Sequence, residues 1–251
     1  MSASRHEAAM RSEGAANGRR QRDWDGIPAR IFLQPIAAPS VLGLYGFAAA
    51  TFMVAANLAG WYGTKTSPEF LFPFAAVFGG VAQFSAGLFA YRARDALATA
   101  MHGMWGSFWI AYGFLQWLVA NHTITPPTGS TFVELGYWFI VLGAITTVGA
   151  LASLGEGLGL FSVLATLAAG SILLAIAYLI GSSTLVTWGG WVLVISAILA
   201  WYVASAMMLA ATFGRTIVPL FRFEGTANRM GARPFTPVQV ADGEPGVRMG
   251  Q

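Results

Sequence analysis

Cysteine is absent from the 251-residue chain, which excludes disulfide bonds, thiolate metal ligands and a cysteine nucleophile. Charge is scarce: Asp, Glu, Lys and Arg make up 10% of the residues, where a soluble domain carries about a quarter. The few acidic and histidine residues are too scattered for a metal site or a pair of catalytic carboxylates. The sequence therefore predicts neither an enzyme nor a bound metal or cofactor.

The chain has instead a series of apolar runs, each near the length that crosses a hydrocarbon core of about 30 Å. We predict a helix for each run: Val41 to Trp61, Phe70 to Tyr91, Ala96 to Ala120, Thr131 to Ala152, Leu160 to Ile180 and Val186 to Phe213. Outer-membrane strands do not fit, because the runs exceed about ten residues and do not alternate. The predicted fold is an all-α membrane protein with six transmembrane helices per protomer.

Basic residues set the predicted orientation. Arginines precede the first run, lie between the second and third runs, and follow the sixth. If each run crosses the membrane once, all of these arginines lie on the same side, and an excess of arginine marks the cytoplasmic side. Both termini are therefore predicted to be cytoplasmic. We expect a disordered basic tail at 1–35, a six-helix membrane domain at 36–220 and a second disordered tail at 221–251. The expected location is the plasma membrane, or the inner membrane of a bacterium, with tails suited to anionic lipid and not to nucleic acid.

The second run is small and polar in its middle. Gln83 would leave its amide unpaired in lipid, so its side chain is predicted to face protein, water or a ligand. A hydrogen bond to a neighbouring helix is the alternative role for this residue. Small residues at three- and four-residue spacing let helices approach to backbone distance, and the glycines assigned to this packing are Gly43, Gly46, Gly79, Gly80 and Gly87.

Further uncharged polar residues lie at bilayer depth. Thr51, Ser85 and Ser107 join Gln83 as the predicted polar lining of a path for a small solute, since an ion pump would need buried charges. Such hydroxyls also bond their own helix backbone, which is the alternative. The glycines of the stretch 155–159 resemble a phosphate loop only superficially, because no strand precedes them and no Gly-Lys-Ser/Thr follows. We predict a flexible turn there.

Four stretches carry the most specific motifs of the chain: Pro39 to Phe47 (PSVLGLYGF), Phe78 to Leu88 (FGGVAQFSAGL), Trp105 to Trp109 (WGSFW) and Phe213 to Pro219 (FGRTIVP). They resemble motifs of the acetate uptake transporter family, the succinate-acetate permeases. They occur in the family's order, and the similarity covers about Pro39 to Leu220. In the first motif the family's Asn falls on Ala38 and its second Pro on Val41, so an amide that helps form the substrate entrance in relatives is absent here.

The resemblance implies a homo-hexamer in which each protomer passes acetate and related small monocarboxylates through its own pore. In relatives an apolar ring from helices 1, 3 and 4 narrows the path, and the corresponding residues here are Phe47, Trp105 and Leu154. Ordinary helix packing is the alternative for all three. Two other functions stay open: a channel for small neutral polar solutes such as urea or short amides, and a non-transporting membrane scaffold or sensor.

Overall fold

The computed structural model describes residues 37–64 and 66–222, and this part of the chain is helical. Its helices are α1 (Pro39–Leu58), α2 (Ser67–Ala93), α3 (Ala96–Ala120), α4 (Val133–Ser153), α5 (Leu158–Ile180) and α6 (Ser183–Phe213). Each coincides with one predicted run, with ends that agree within three residues. The all-α prediction is therefore confirmed over the described residues. The tail predicted at 1–35 lies outside them, and so do residues 223–251 of the tail predicted at 221–251.

Five of these helices are long and apolar enough to cross a membrane: α1, α2, α4, α5 and α6. Helix α3 has 25 residues and no charged side chain. The mean hydropathy of the most apolar stretch of α3 is lower than that of the other five helices. The reason is that α3 contains His102, Gln116 and several aromatic and glycine residues. The least apolar of the long helices thus contributes four residues, Trp105, Phe108, Trp109 and Tyr112, to the wall of the cavity described below.

Local chemistry at the helix ends explains where the chain reverses. Arg94 ends α2 in the left-handed conformation, with φ 57°. Asp95 then begins α3, because its carboxylate accepts a 2.8 Å hydrogen bond from the backbone N–H of Ala98. Between α5 and α6, Gly181 is left-handed and the Ser182 hydroxyl accepts from the N–H of Leu185 at 3.3 Å. Connections this short make the joined helices antiparallel neighbours.

Small residues form much of the buried interior. Helix α1 packs against α2, α3 and α6, α2 against α3, α4 against α5, and α5 against α6. Alanines at positions 50, 75, 90, 177, 200, 204 and 206 have no exposed surface. Close approach of helix backbones is how bundles gain packing contacts in lipid, where the hydrophobic effect between helices is lost. Large apolar side chains are instead exposed on the outer faces, as a lipid-facing surface requires.

Helix α2 is not a regular α-helix. Its middle, Ala75–Ala82, is π-helical and lies between α-helical segments Ser67–Phe74 and Gln83–Ala93. Pro73 precedes the π segment and has no N–H to donate, which weakens the α-helical hydrogen-bond ladder at that point. The π segment turns the Phe78 carbonyl toward Gly46 of α1, where a Cβ atom would clash with it. The sequence prediction did not include this segment, and π turns occur frequently at functional sites.

The chain after α6 folds back onto the α4–α5 connection. The N–H of Leu158 donates to the carbonyl of Phe221 at 3.0 Å, and the Tyr202 hydroxyl donates to the carbonyl of Pro219 at 2.7 Å. Gly157 has φ 153°, and a Cβ there would lie 2.8 Å from Cα of Arg222. The glycine-rich stretch therefore accommodates a second backbone and is more than a flexible turn. The predicted domain boundary at 220 falls inside this paired segment.

Candidate functional site

The predicted aromatic pair is in contact. Phe47 of α1 and Trp105 of α3 lie edge to face, with ring centroids 6.0 Å apart and planes at 72°. Both side chains are almost completely buried. The indole N–H of Trp105 donates a 3.0 Å hydrogen bond to the hydroxyl of Thr146 on α4, which in turn donates to the carbonyl of Leu142 at 2.6 Å. Helix α4 thus orients Trp105, and the ring cannot rotate without losing a buried hydrogen bond.

A cavity of about 40 Å³ lies on one side of this pair. Its wall combines aromatic and aliphatic side chains and comes from five helices: Thr51, Val54, Ala55, Leu58, Trp105, Phe108, Trp109, Tyr112, Leu135, Phe139, Leu167, Leu174, Tyr178 and Leu193. None of these side chains is a carboxylate or a basic group. Since one buried water needs about 10–15 Å³ by this measure, the cavity holds about three waters or one solute of similar size.

Two polar atoms of the cavity wall have no hydrogen-bond partner. They are the hydroxyl Oγ1 of Thr51 and the indole Nε1 of Trp109, both buried. Leaving a buried donor unpaired costs about 1–3 kcal/mol, so such atoms are rare in a core that only packs. Both atoms belong to residues of the cavity wall, although the atoms themselves have almost no accessible surface. A hydrogen-bond acceptor in the cavity, such as a carboxylate or an amide oxygen, would pair with them after a rotation of these side chains.

On the other side of the aromatic pair lies His102 of α3. A Cβ on Gly43 of α1 would lie 2.5 Å from Nδ1 and from Cε1 of its imidazole, so the ring occupies space that any other residue at 43 would fill. The side chain of His102 is 5% exposed, and Nδ1 has no partner. Gln83 is 2% exposed, its Oε1 also lacks a partner, and its backbone nitrogen approaches Gly46.

Helices α1 and α3 therefore meet at three successive levels. Gly43 contacts His102, Phe47 contacts Trp105, and Thr51 and Trp109 share the cavity wall. These levels are one helical turn apart, because the residues are separated by three or four positions on each helix. All four unpartnered buried side-chain atoms found in the described residues belong to α1, α2 or α3. In α4, α5 and α6 the buried hydroxyls of Thr146, Ser153, Ser171 and Ser196 all donate to backbone carbonyls.

Three predicted site residues lie elsewhere. The hydroxyl of Ser107 donates to the Gly103 carbonyl of its own helix at 2.8 Å. Ser85 is half-buried on α2. Leu154 follows the last residue of α4, is 41% exposed and does not belong to the cavity wall. The structure brings Phe47 and Trp105 together without Leu154, and the α4 residues nearest this pair are Thr146 and Phe139.

The five glycines predicted to pack helices, at 43, 46, 79, 80 and 87, each face another helix of the same chain. A Cβ on Gly79 would lie 2.6 Å from Cβ of Ala50 and from Cγ of Trp109. One on Gly87 would lie 2.7 Å from the backbone nitrogen of Gly103. Helices α1, α2 and α3 consequently approach one another at backbone distance around the three levels.

Sequence reasoning missed several residues of this site. Phe108 and Trp109 lie inside a motif that it quoted, yet they received no role, although an aromatic every third or fourth residue indicates one face of α3. His102 is on that same face, three positions before Trp105, and was set aside as an isolated histidine. Thr146 gave no signal, because its partner Trp105 is 41 positions away in the chain.

Long helices with apolar outer faces and a small uncharged interior cavity describe an integral membrane protein. The similar proteins whose names state a function are transporters or channels and not enzymes. A family model described as the GPR1/FUN34/yaaH family matches residues 26–224, and the chain belongs to this family. The resemblance drawn from the four motifs is thereby confirmed.

Known relatives match over most of the membrane helices. The succinate-acetate/proton symporter SatP of Escherichia coli is 27% identical over 187 residues, which cover 74% of this chain and 95% of SatP. Ammonia transport outward protein 2 of Saccharomyces cerevisiae is 27% identical over 172 residues, which cover 68% of this chain and 61% of that protein. The solved structure of the bacterial acetate channel SatP superposes with a TM-score of 0.66 at 25% identity, covering 74% of this chain and 99% of that one.

Proposed function

We propose that this protein is a membrane transporter or channel for acetate and related small monocarboxylates. The observation that supports it most is the set of unpartnered buried polar atoms on α1, α2 and α3, two of which belong to the cavity-wall residues Thr51 and Trp109. Relatives whose names include succinate-acetate symport and an acetate channel agree with this assignment. In this proposal all six helices, including α3, cross the plasma membrane, both termini are cytoplasmic, and six protomers assemble.

The chemistry of the cavity suits a short carboxylic acid. Once these side chains rotate toward the cavity, its carboxyl oxygens can accept hydrogen bonds from the Thr51 hydroxyl and the Trp109 indole, which replace part of the lost hydration. Its methyl group can pack against the rings of Phe108 and Phe139. A volume near 40 Å³ favours acetate over longer acids. The wall provides no positive charge, so the neutral acid or a proton-compensated anion crosses at lower cost than a bare anion.

The Phe47–Trp105 pair is the proposed narrowing of the path. Its rings touch between the cavity and the Gly43 level, so a solute leaving the cavity toward Gly43 must displace one of them. The Trp105–Thr146 hydrogen bond opposes that movement. Gln83 is a further proposed contact for the solute near this pair, and Leu154 is left out of the narrowing because of its exposure.

A second candidate is passage of small neutral polar solutes such as urea or short amides. The uncharged wall favours it, since a hydrogen-bonding neutral solute needs no counter-charge. The similarity to a protein named for ammonia transport points in the same direction. Urea and acetate are therefore compared directly in the test below.

The test measures uptake of labelled acetate and of urea into proteoliposomes that contain the purified protein. We expect acetate uptake well above that of empty vesicles, and a loss of about tenfold in Thr51→Val, because one donor worth about 1.4 kcal/mol is removed at unchanged shape. The matched control is Thr147→Val, whose hydroxyl bonds Gly143 of its own helix outside the cavity wall. Uptake of urea but not acetate would favour the neutral-solute channel. Uptake of neither would favour a scaffold or sensor.

A further inference from the structure

His102 is a buried titratable group that the proposed path has not yet used. The residue is 5% exposed, and Nδ1 of its imidazole has no hydrogen-bond partner. The ring fits because residue 43 is glycine: a Cβ there would lie 2.5 Å from Nδ1. A position that served only packing would be filled better by an apolar side chain, since an imidazole in such a site has one nitrogen that needs a donor.

The imidazole is also on the face of α3 that forms the path. His102 comes three residues before Trp105, and Gly43 comes four residues before Phe47. The Gly43–His102 contact is therefore one turn beyond the aromatic pair, on the side opposite the cavity. A solute that moves from the cavity past Trp105 reaches the level of His102 next.

Few other groups near this level can hold or release a proton. Helix α1 contains no acidic or basic residue, and its Tyr45 hydroxyl bonds Ser205 of α6 at 2.9 Å. The titratable or charged residues of the neighbouring ends of α2 and α3 are Tyr91, Arg92, Arg94 and Asp95, and the Asp95 carboxylate caps the N–H of Ala98. Helix α4 contributes Glu134 near its opposite end, and Glu156 follows the end nearer to His102, about two turns beyond Gly149, the residue that faces Met101. Imidazole is also the side chain whose ordinary titration falls nearest to neutral pH.

We propose that His102 exchanges a proton with the carboxyl group of the solute after the solute has passed the Phe47–Trp105 pair. The proposal rests on the proposed function. In the forward step the O–H bond of the carboxylic acid breaks, and its electron pair stays on the carboxylate oxygen. The lone pair of Nδ1 forms the new N–H bond, in the tautomer whose other hydrogen is on Nε2. The product is a carboxylate beside an imidazolium, and the reverse step restores the neutral acid and the neutral ring.

The first test is the pH profile of acetate exchange at equal pH inside and outside proteoliposomes, so that no gradient drives the flux. Acetic acid itself titrates at about pH 4 to 5, like a free Glu. We expect the wild-type profile to depart from this single titration, because a second group exchanges the proton. His102→Gln should retain exchange and follow the titration of acetic acid alone, while the control His122→Asn, in a loop position with φ 56° that suits Asn, should keep the wild-type profile. An identical profile in His102→Gln and wild type overturns the proposal.

The second test does not require flux or a substitution at His102. The chain has three histidines, so a His6→Gln, His122→Asn protein labelled with ¹⁵N-histidine reports the imidazole of His102 alone. We expect acetate to shift the ¹⁵N signals and their pH midpoint, with formamide as the neutral control. Signals that respond to neither acetate nor pH overturn the proposal even if His102→Gln fails to fold. Wild-type protein that is folded but exchanges no acetate at any pH refutes the proposed function, whatever the ¹⁵N signals do.

Discussion

Replacing Trp105 with alanine tests whether the aromatic pair limits the size of the solute. The indole fills the space between Phe47, at a centroid distance of 6.0 Å, and Phe108, at 5.4 Å, and it forms part of the cavity wall. Its removal should extend the cavity toward Gly43, and of the aromatic pair only the ring of Phe47 would remain. We therefore expect larger acids such as lactate to gain uptake relative to acetate.

The magnitude follows from two separate effects. Loss of a buried Trp destabilises a core by about 3–5 kcal/mol, which includes the packing and the cavity left behind. The hydrogen bond to Thr146 adds about 0.5–1.5 kcal/mol, although that hydroxyl still donates to Leu142. Relief of the narrowing acts on the rate: if it lowers the barrier for lactate by about 1.4 kcal/mol more than for acetate, the lactate-to-acetate ratio rises about tenfold.

The assay is initial uptake of labelled acetate and lactate by Trp105→Ala proteoliposomes, normalised to folded protein. Leu164→Ala is the matched control, because Leu164 is 4% exposed in α5 and does not belong to the cavity wall. It should lose stability and keep the wild-type ratio. Phe47→Ala should act in the direction of Trp105→Ala, and the double substitution should be non-additive since the rings touch. A ratio in Trp105→Ala that equals the wild-type value would refute the assignment of the narrowing.

Two further substitutions test other parts of the structure. Gln83→Leu should lower acetate uptake several-fold, because it removes an amide from the proposed path, while folded yield stays equal or rises as an unpaired buried Oε1 disappears. Gly157→Ala should cost about 1–3 kcal/mol, since φ 153° disfavours a side chain and the new Cβ would lie 2.8 Å from Cα of Arg222. The second effect is measured as faster protease cleavage after α6.

Each of these has its own contrary outcome. Unchanged acetate uptake in Gln83→Leu would mean that the amide only packs helices. For the glycine the control is Gly155→Ala, whose Cβ would contact only the Ala152 carbonyl, at 3.3 Å. Equal cleavage rates in the two glycine variants would contradict the pairing of the C-terminal segment with the α4–α5 connection.

Helix number and position were predictable because the bilayer restricts the choice. A backbone in hydrocarbon must satisfy its own hydrogen bonds, so an uncharged apolar run of about twenty residues leaves little besides a helix. All the runs predicted from sequence correspond to helices in the structure, and their ends differ by three residues or fewer. The contact of Phe47 with Trp105 was expected from the family motifs, because the positions of these two residues in the motifs assign both to one apolar ring.

The π segment of α2 was not predictable in the same way. Pro73 and the glycine pair after it are compatible with a kink, a π turn or a regular helix whose glycines pack closely. The choice depends on what lies opposite, and here the Phe78 carbonyl meets Gly46 of α1. A contact between positions 46 and 78 is a property of two helices together.

The sequence by itself determined a helical membrane protein, the positions of its helices and its family, because composition and local motifs decide these and a membrane leaves few other folds. Only the tertiary structure decided which polar side chains lack partners. Thr51 and Thr146 both lie in apolar runs, yet Thr146 donates to Leu142 and accepts from Trp105, while the Thr51 hydroxyl is buried without a partner. A hydrogen bond is satisfied by whatever atom lies within about 3 Å, and that neighbour comes from how the helices pack.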